Sequence, residues 1–361
     1  MIISRRLLPC TAALVGAVLS VRVASAQVPS QWHLARGLPG ENTGSIWGTS
    51  SSNLFLSGGV QGVAQWNGSM WSAAVLPPSI NRYYVFGLSA NEVYSSGHTL
   101  LKYDGATWSN FYQDPGGSQL PGIWGRSSGD LFTSGDGILR HFDGINWTDI
   151  PTGLSRAFNT DRLESISGGA TRTFVAGRNG TILSWDGSTL VRMTTGTVVG
   201  LNGISALSDN TAFAVGGGGT LLYFDGSSWT HMSSPIAEDY DGVFALSSTD
   251  VYAATYQGSL VHYDGAQWSV VMTGFGGVFG TPFALSSSKI YVPVLSNTQY
   301  CGNCGMLLTS DASIEGVPDE TPVVAPEPSA AILLITGFAA VLGAARRRSS
   351  RSRCREIRPT S

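Results

Sequence analysis

The residues of this 361-residue chain with the types to do chemistry are few and scattered. Cys301 and Cys304 form a lone C-x-x-C pair. A redox couple of that spacing needs a thioredoxin-like βαβ surrounding, which is missing, and a zinc site needs two further ligands. A small local disulfide that stiffens an inserted loop needs nothing more. The histidines are His33, His98, His141, His231 and His262. His141 and His262 occupy one position of a repeat, where Lys102 and Ser184 stand in other copies, so they read as interchangeable strand-surface residues. No H-E-x-x-H, calcium loop, phosphate loop or nucleophile elbow is present. Carboxylates are numerous, but the recurrent ones sit in Asp-Gly pairs that look like turns. Spacing therefore singles out no catalytic constellation, no cofactor site and no metal site.

Those Asp-Gly pairs reveal what positions everything else. An Asn-Gly or Asp-Gly pair flanked by strand-forming residues is the strongest local hairpin signal, because the turn needs φ > 0 and glycine adopts it cheaply. The segment 218–232, GGTLLYFDGSSWTHM, shows the pattern: an apolar strand, the turn Asp225-Gly226, and a strand opened by Trp229. The turn recurs at nearly even intervals, at Asn67, Asp104, Asp143, Asp186, Asp225 and Asp264. Trp71, Trp108, Trp147, Trp229 and Trp268 follow four positions later, with Leu190 as the exception. Upstream lies an apolar landmark at Ile46, Val85, Ile123, Ile166, Ile204, Val243 and Pro282. A third strand-like run, such as 53–56 or 250–252, separates the two.

A four-strand unit of about 40 residues repeated six or seven times is the signature of an all-β propeller. One blade cannot bury both faces of its sheet, so neighbours around an axis supply the core; the tryptophans read as wedges between blades. Trp32 precedes Trp47 by the same interval that separates Trp71 from Phe86, Trp229 from Phe244 and Trp268 from Phe283. The segment 31–36 is therefore expected to be an outer strand with no blade of its own. The last repeat, 280–311, lacks such a strand. Closure of a seventh four-stranded blade by the N-terminal strand follows, and it removes the exposed sheet edge.

Two copies carry extra length: the link from Trp147 to Ile166, and the stretch ending at Cys304. Loops from strand four to the next blade and loops between strands two and three emerge at one end of the ring. Both insertions, 148–165 and 293–304, are thus expected on one face, which is a candidate binding face.

Composition narrows the function. Charged residues are 12%, against roughly 25% in average proteins, and glycine is 46 of 361. Between positions 27 and 345 stand 11 Lys and Arg against 23 Asp and Glu, a net charge near −12. That surface disfavours nucleic acid or anionic lipid as partner.

The ends read as addresses. The segment 1–26 has Arg5-Arg6, an apolar run and an A-x-A cleavage site at Ala24 and Ala26, a secretory signal peptide with Gln27 as the mature start. The paired arginines leave general and twin-arginine export both open. The propeller is expected over 27–314, followed at 315–328 by a linker containing Pro326-Glu327-Pro328. The segment 329–348 is expected to be a transmembrane helix ending in Arg346-Arg347-Arg348, with a basic cytoplasmic tail at 349–361. The propeller is then outside the cytoplasm.

The tripeptide, the short apolar run and the arginine cluster together resemble the PEP-CTERM sorting tail of exported bacterial proteins. The resemblance covers only the stretch from Pro326 to Arg348, and the extension beyond the arginines departs from it. It implies exosortase as a partner and a cell that makes extracellular polysaccharide. The hairpin also resembles the Asp-box of sialidases, S-x-D-x-G-x-x-W, but here glycine follows aspartate directly and the leading serine is generally absent. A sialidase would further need an arginine triad and a tyrosine nucleophile. Among Arg82, Arg126, Arg140, Arg156, Arg162, Arg172, Arg178 and Arg192 no spacing selects three. The expectation is a non-catalytic surface or matrix protein, membrane-anchored or sorted, whose ligand is a polysaccharide or an envelope protein. The alternative is a carbohydrate-active enzyme, sialidase-like or another glycosidase, to be favoured by paired carboxylates at the central pore.

Overall fold

The computed structural model describes residues 28–39, 43–58, 62–77, 82–295 and 305–314. Apart from one short 3-10 turn at Gly217–Gly219, every regular element in them is a strand. The strands group into seven antiparallel sheets in chain order. Blades one to six span 43–73, 82–113, 122–149, 163–193, 201–231 and 240–272, each with four strands in sequential order. Blade seven joins Val278–Phe279, Phe283–Ser286, Lys289–Leu295 and Gly305–Thr309 to the N-terminal strand His33–Leu38. The expected seven-bladed ring with N-terminal closure is the fold observed.

The closing strand begins slightly later than the repeat predicts. Trp32 stands just before it and is wholly buried, with its indole N–H donated to the Pro29 carbonyl at 3.2 Å. Trp32 packs among Tyr252, Leu260 and Met272 of blade six, the place that Trp229 and Trp268 take on their own preceding blades. Trp229 lies edge-on to Phe174 of blade four at 6.0 Å, Trp268 to Phe213 of blade five at 6.5 Å, and Trp108 to Phe55 of blade one at 6.2 Å. The cores accordingly lie between blades: Phe174, Ala176 and Ile182 meet Ile204, Leu222 and Phe224 across one such seam. Aromatic pairs of this kind add about 0.5–1.5 kcal/mol beyond the area they bury.

The innermost strand of blade seven is split. Pro282 has no amide hydrogen and fixes its φ, so the ladder breaks there. Its neighbours turn to other partners: Gly280 N–H donates to the Pro293 carbonyl at 2.9 Å, and Thr281 N–H reaches the Gly44 carbonyl of blade one at 3.0 Å. Serine hydroxyls stitch other seams. Val85 N–H donates to Ser45 Oγ at 2.7 Å, Ile204 N–H to Ser165 Oγ at 3.2 Å, and Ala245 N–H to Ser205 Oγ at 3.0 Å.

The repeated turn uses its aspartate structurally. Asp225 Oδ1 accepts the Ser227 and Ser228 amides at 2.8 and 2.9 Å while Gly226 sits at φ +97°. Asn67 in blade one makes the same pair of bonds, both 2.9 Å. Because strands alternate direction, these turns all lie on one rim of the ring. The links between blades and the loops between second and third strands lie on the other.

The signal peptide, the linker with Pro326-Glu327-Pro328, the expected helix 329–348 and Cys301 with Cys304 lie outside the described residues. Among those that are described, no helix is long and apolar enough to cross a membrane.

Candidate functional site

Seven inner strands surround a central channel of about 430 Å³. The repeat position after the apolar landmark is aromatic in five blades, Trp47, Phe86, Trp124, Phe244 and Phe283, and serine in two, Ser167 and Ser205. At the rim where blade-to-blade links emerge, the channel opens into a polar cleft of about 450 Å³, and Tyr84 lines both.

The cleft is built from consecutive blades. Glu164, Asn202 and Asp241 each stand two positions before the landmarks Ile166, Ile204 and Val243, so one repeat position faces the mouth three times in a row. Glycine allows these strands their close approach: a Cβ on Gly203 would lie 3.0 Å from Gly242 Cα, and one on Gly242 would lie 2.4 Å from Thr281 Oγ1. Asn202 Nδ2 donates to the Tyr240 carbonyl at 2.7 Å, which fixes the amide between the two carboxylates. Loops complete the walls with Arg178, Asp239 and Tyr256, and with Val198 and Val199, which are 85% and 39% exposed.

The three acids are compensated unequally. Glu164 is held by Arg162 at 2.9 Å and Arg178 at 3.6 Å. Asp239 accepts the Gly218 amide at 2.6 Å. Asp241 interacts with the Tyr256 hydroxyl, and among the described side chains no cation pairs with it. Burial, with the negative charge of Glu164 added, pushes the Asp241 carboxyl up to about 6, which outweighs the opposing influence of the Tyr256 hydroxyl. Burial and the same carboxylates push the Tyr84 and Tyr256 phenols well above their ordinary range, so both remain protonated donors. The mouth can thus offer a carboxyl raised to about 6, further acidic side chains, an amide and two phenols.

The expected binding face agrees in part with this geometry. The long link after Trp147 supplies Arg162 and Glu164, and docks through Asn159, whose carbonyl accepts from Arg178 at 2.9 Å. Positions 296–304 of the other insertion lie outside the described residues. Of the arginines weighed for a triad, Arg162 and Arg178 meet at the mouth. Arg126 and Arg140 are engaged elsewhere by Asp130 at 2.6 Å and Asp114 at 2.7 Å. Asp239, Asp241, Asn202, Tyr84 and Tyr256 were missed by motif reasoning. The readable signal was a column of the repeat that turns from Gly44 and Pro121 to Glu164, Asn202 and Asp241.

No protein-family profile matches the chain, and no curated protein matches it either. Solved structures do, at the level of the fold. A structure described as YCF48 bound to D1 peptide is 16% identical, with a TM-score of 0.60, covering 78% of this chain and 99% of that one. Virginiamycin B lyase from Staphylococcus aureus is 12% identical, with a TM-score of 0.66 over 77% and 99%. The RRP9 WD40 repeats are 10% identical, with a TM-score of 0.61 over 78% and 98%. The chain is a β-propeller. At these identities the likeness carries the scaffold and no activity.

Two of the histidines weighed above, His141 and His262, belong to the opposite rim. His262 Nε2 lies 2.9 Å from Asp250, both nearly inaccessible, and His141 Nε2 lies 2.8 Å from Asp130. In blade two the equivalent pair is Lys102 and Glu92 at 2.8 Å. Each base also lies near an aromatic ring on the neighbouring strand: Phe132 for His141, Tyr252 for His262 and Tyr94 for Lys102. This repeat position is interchangeable, as expected, but its role is specific: it holds the acid that opens the second strand. Among the described residues no group of three or more His, Cys, Asp or Glu could hold a metal ion.

Proposed function

We propose that this chain is an exported, non-catalytic propeller of the cell surface or matrix that binds glycan at the mouth of its channel. The supporting observation is the run of Glu164, Asn202 and Asp241 across three blades in a concave site. Carboxylates and an amide at fixed spacing match the vicinal hydroxyls of a sugar ring, and a few convergent polar groups in a concavity of this size are the usual form of a small-ligand site. The excess of acids over bases between positions 27 and 345 disfavours polyanionic glycans and favours neutral or amine-bearing ones. Export by the signal ending at Ala26, and exosortase sorting at Pro326-Glu327-Pro328, rest on the sequence resemblance.

Two measurements test the reading. Capture of the cell's own polysaccharide by wild-type chain, weakened at least about tenfold in Glu164→Gln, supports binding at the mouth; equal capture overturns it. Fractionation of cells with and without exosortase should show a shorter or released form that depends on the enzyme, and a full-length membrane form in both cells removes the sorting proposal.

One observation favours a second reading. A carboxyl pushed up to about 6 and coupled electrostatically to a second carboxyl group is the arrangement that general acid–base hydrolysis requires. The electrostatic interaction of Asp241 with Glu164 therefore raises the glycosidase alternative above what the sequence supported. Release of reducing ends from captured polysaccharide, abolished in Asp241→Asn, would establish it.

A further inference from the structure

The uneven compensation of the cleft's acids points to the class of sugar. We propose that the mouth selects an amine-bearing sugar, with the ammonium group seated against Asp241 and the apolar face of the ring against Tyr256 and the exposed Val198 and Val199. The inference rests on the glycan-binding reading and goes further by naming the group recognised.

Charge carries the argument. Every charged group that faces Asp241 among the described side chains is accounted for. Arg162 and Arg178 are taken by Glu164, Asp239 is taken by the Gly218 amide, and Tyr84 and Tyr256 are neutral. Glu164 adds negative charge to that of Asp241. A carboxylate desolvated in this way, without a cation, is costly; a hydroxyl satisfies its hydrogen bonding but leaves its charge uncompensated. An ammonium does both. Two tyrosine rings line the same cleft, and an aromatic face favours a cation further. The apolar rim explains why the ligand is a ring bearing an amine rather than a bare cation: Tyr256 is 42% exposed and Val198 85% exposed, beside a polar floor.

The test uses the full chain in detergent and three tetrasaccharides of one backbone, carrying amine, acetamide or hydroxyl at the same carbon, titrated near neutral pH. The amine form should bind at least about tenfold more tightly than the other two. In Asp241→Asn that preference should fall to within about twofold, while Asp264→Asn, which removes the same charge from the opposite rim, should keep it. Asp241→Ser, which removes the same charge with a smaller side chain, should lose the preference in the same way and serves if Asp241→Asn fails to fold. Equal binding of all three sugars overturns the inference and leaves glycan binding standing. A preference that survives Asp241→Asn, or vanishes equally in Asp264→Asn, also overturns it, because the attraction is then diffuse. No binding of any sugar removes both readings.

Discussion

The two rims of the ring both carry acids and treat them in opposite ways. On the turn rim the acids beside the second strands meet bases, Glu92 with Lys102, Asp130 with Arg126 and His141, Asp250 with His262 and Asp311 with Lys289, and the turn aspartates meet backbone amides. Asp209 crosses a seam to accept the Thr171 and Arg172 amides at 2.9 and 2.8 Å. At the channel mouth Glu164 and Asp239 are compensated, but Asp241 is left with a phenol. Acids that are fully paired stabilise a fold. An acid left without a cation in a concave site is held there at a cost, and such sites are where function concentrates.

The comparison breaks most visibly at a buried pair. Asp250→Ala leaves His262, 1% exposed, without its carboxylate, and should destabilise the chain by about 2–4 kcal/mol. Thermal unfolding of the two single variants and the double variant measures the coupling. A loss below about 0.5 kcal/mol would mean that the turn rim is no better organised than the mouth.

The mouth should respond with the opposite sign. The folded carboxyl of Asp241 titrates at about 6, above its ordinary 3.8, so between those values the folded state binds the extra proton and stability falls as pH rises. A difference of that size corresponds to about 3 kcal/mol as an upper bound. Water in the cleft reduces that, and Asp241→Asn should raise stability above pH 7 by about 1–2 kcal/mol. The variant should also lack the decline expected of wild type from about pH 4 to about pH 7. A destabilised variant would show that Asp241 belongs with the paired acids.

Glu164 sharpens the contrast by separating binding from stability. Glu164→Gln removes a charge partner from two arginines, one of them 42% exposed and free to rehydrate. Melting should move by less than about 1 kcal/mol while glycan capture is lost. Loss of both together would make Glu164 a structural residue.

How far each rim could be read in the sequence follows from how each is encoded. The turn, the wedge tryptophan and the landmark strands repeat at an almost constant interval, so blade number and the role of Trp32 follow from counting. The acid–base pairs of the turn rim were half visible: Lys102, His141 and His262 share a position, but the partner acids Glu92, Asp130 and Asp250 open a strand whose register only pairing reveals. The mouth was least visible because it departs from the repeat. Asp241 and Glu164 lie two repeats apart and meet only because blades four to six curve about one axis. A motif cannot express that closure, whereas reading each column of the repeat for departures can.

The smallest effect is expected where the two rims differ only in appearance. Five of the six turn residues are aspartates, and their charges give the turn rim its acidic look. Asn67 forms the same two bonds with a neutral amide oxygen, so the charge is not what the geometry needs. Asp225→Asn should therefore leave the melting temperature unchanged at neutral pH, whereas Asp225→Ala, which loses both acceptor bonds, should lower it. Acid separates the two side chains. Amides from Ser228 and Ser227, with the Ser227 hydroxyl, hold the Asp225 carboxyl down at about 2, so its contribution is complete above the ordinary 3.8 and is lost as pH falls toward 2. An asparagine has no proton to gain. Replacing Asp104, Asp143, Asp186, Asp225 and Asp264 together by asparagine should thus flatten the acid limb of the stability profile. The fall from about pH 4 to about pH 7 would remain, because it belongs to Asp241 at the other rim. If the fivefold variant lost that fall as well, the two rims would share one electrostatic network and their separation would be wrong.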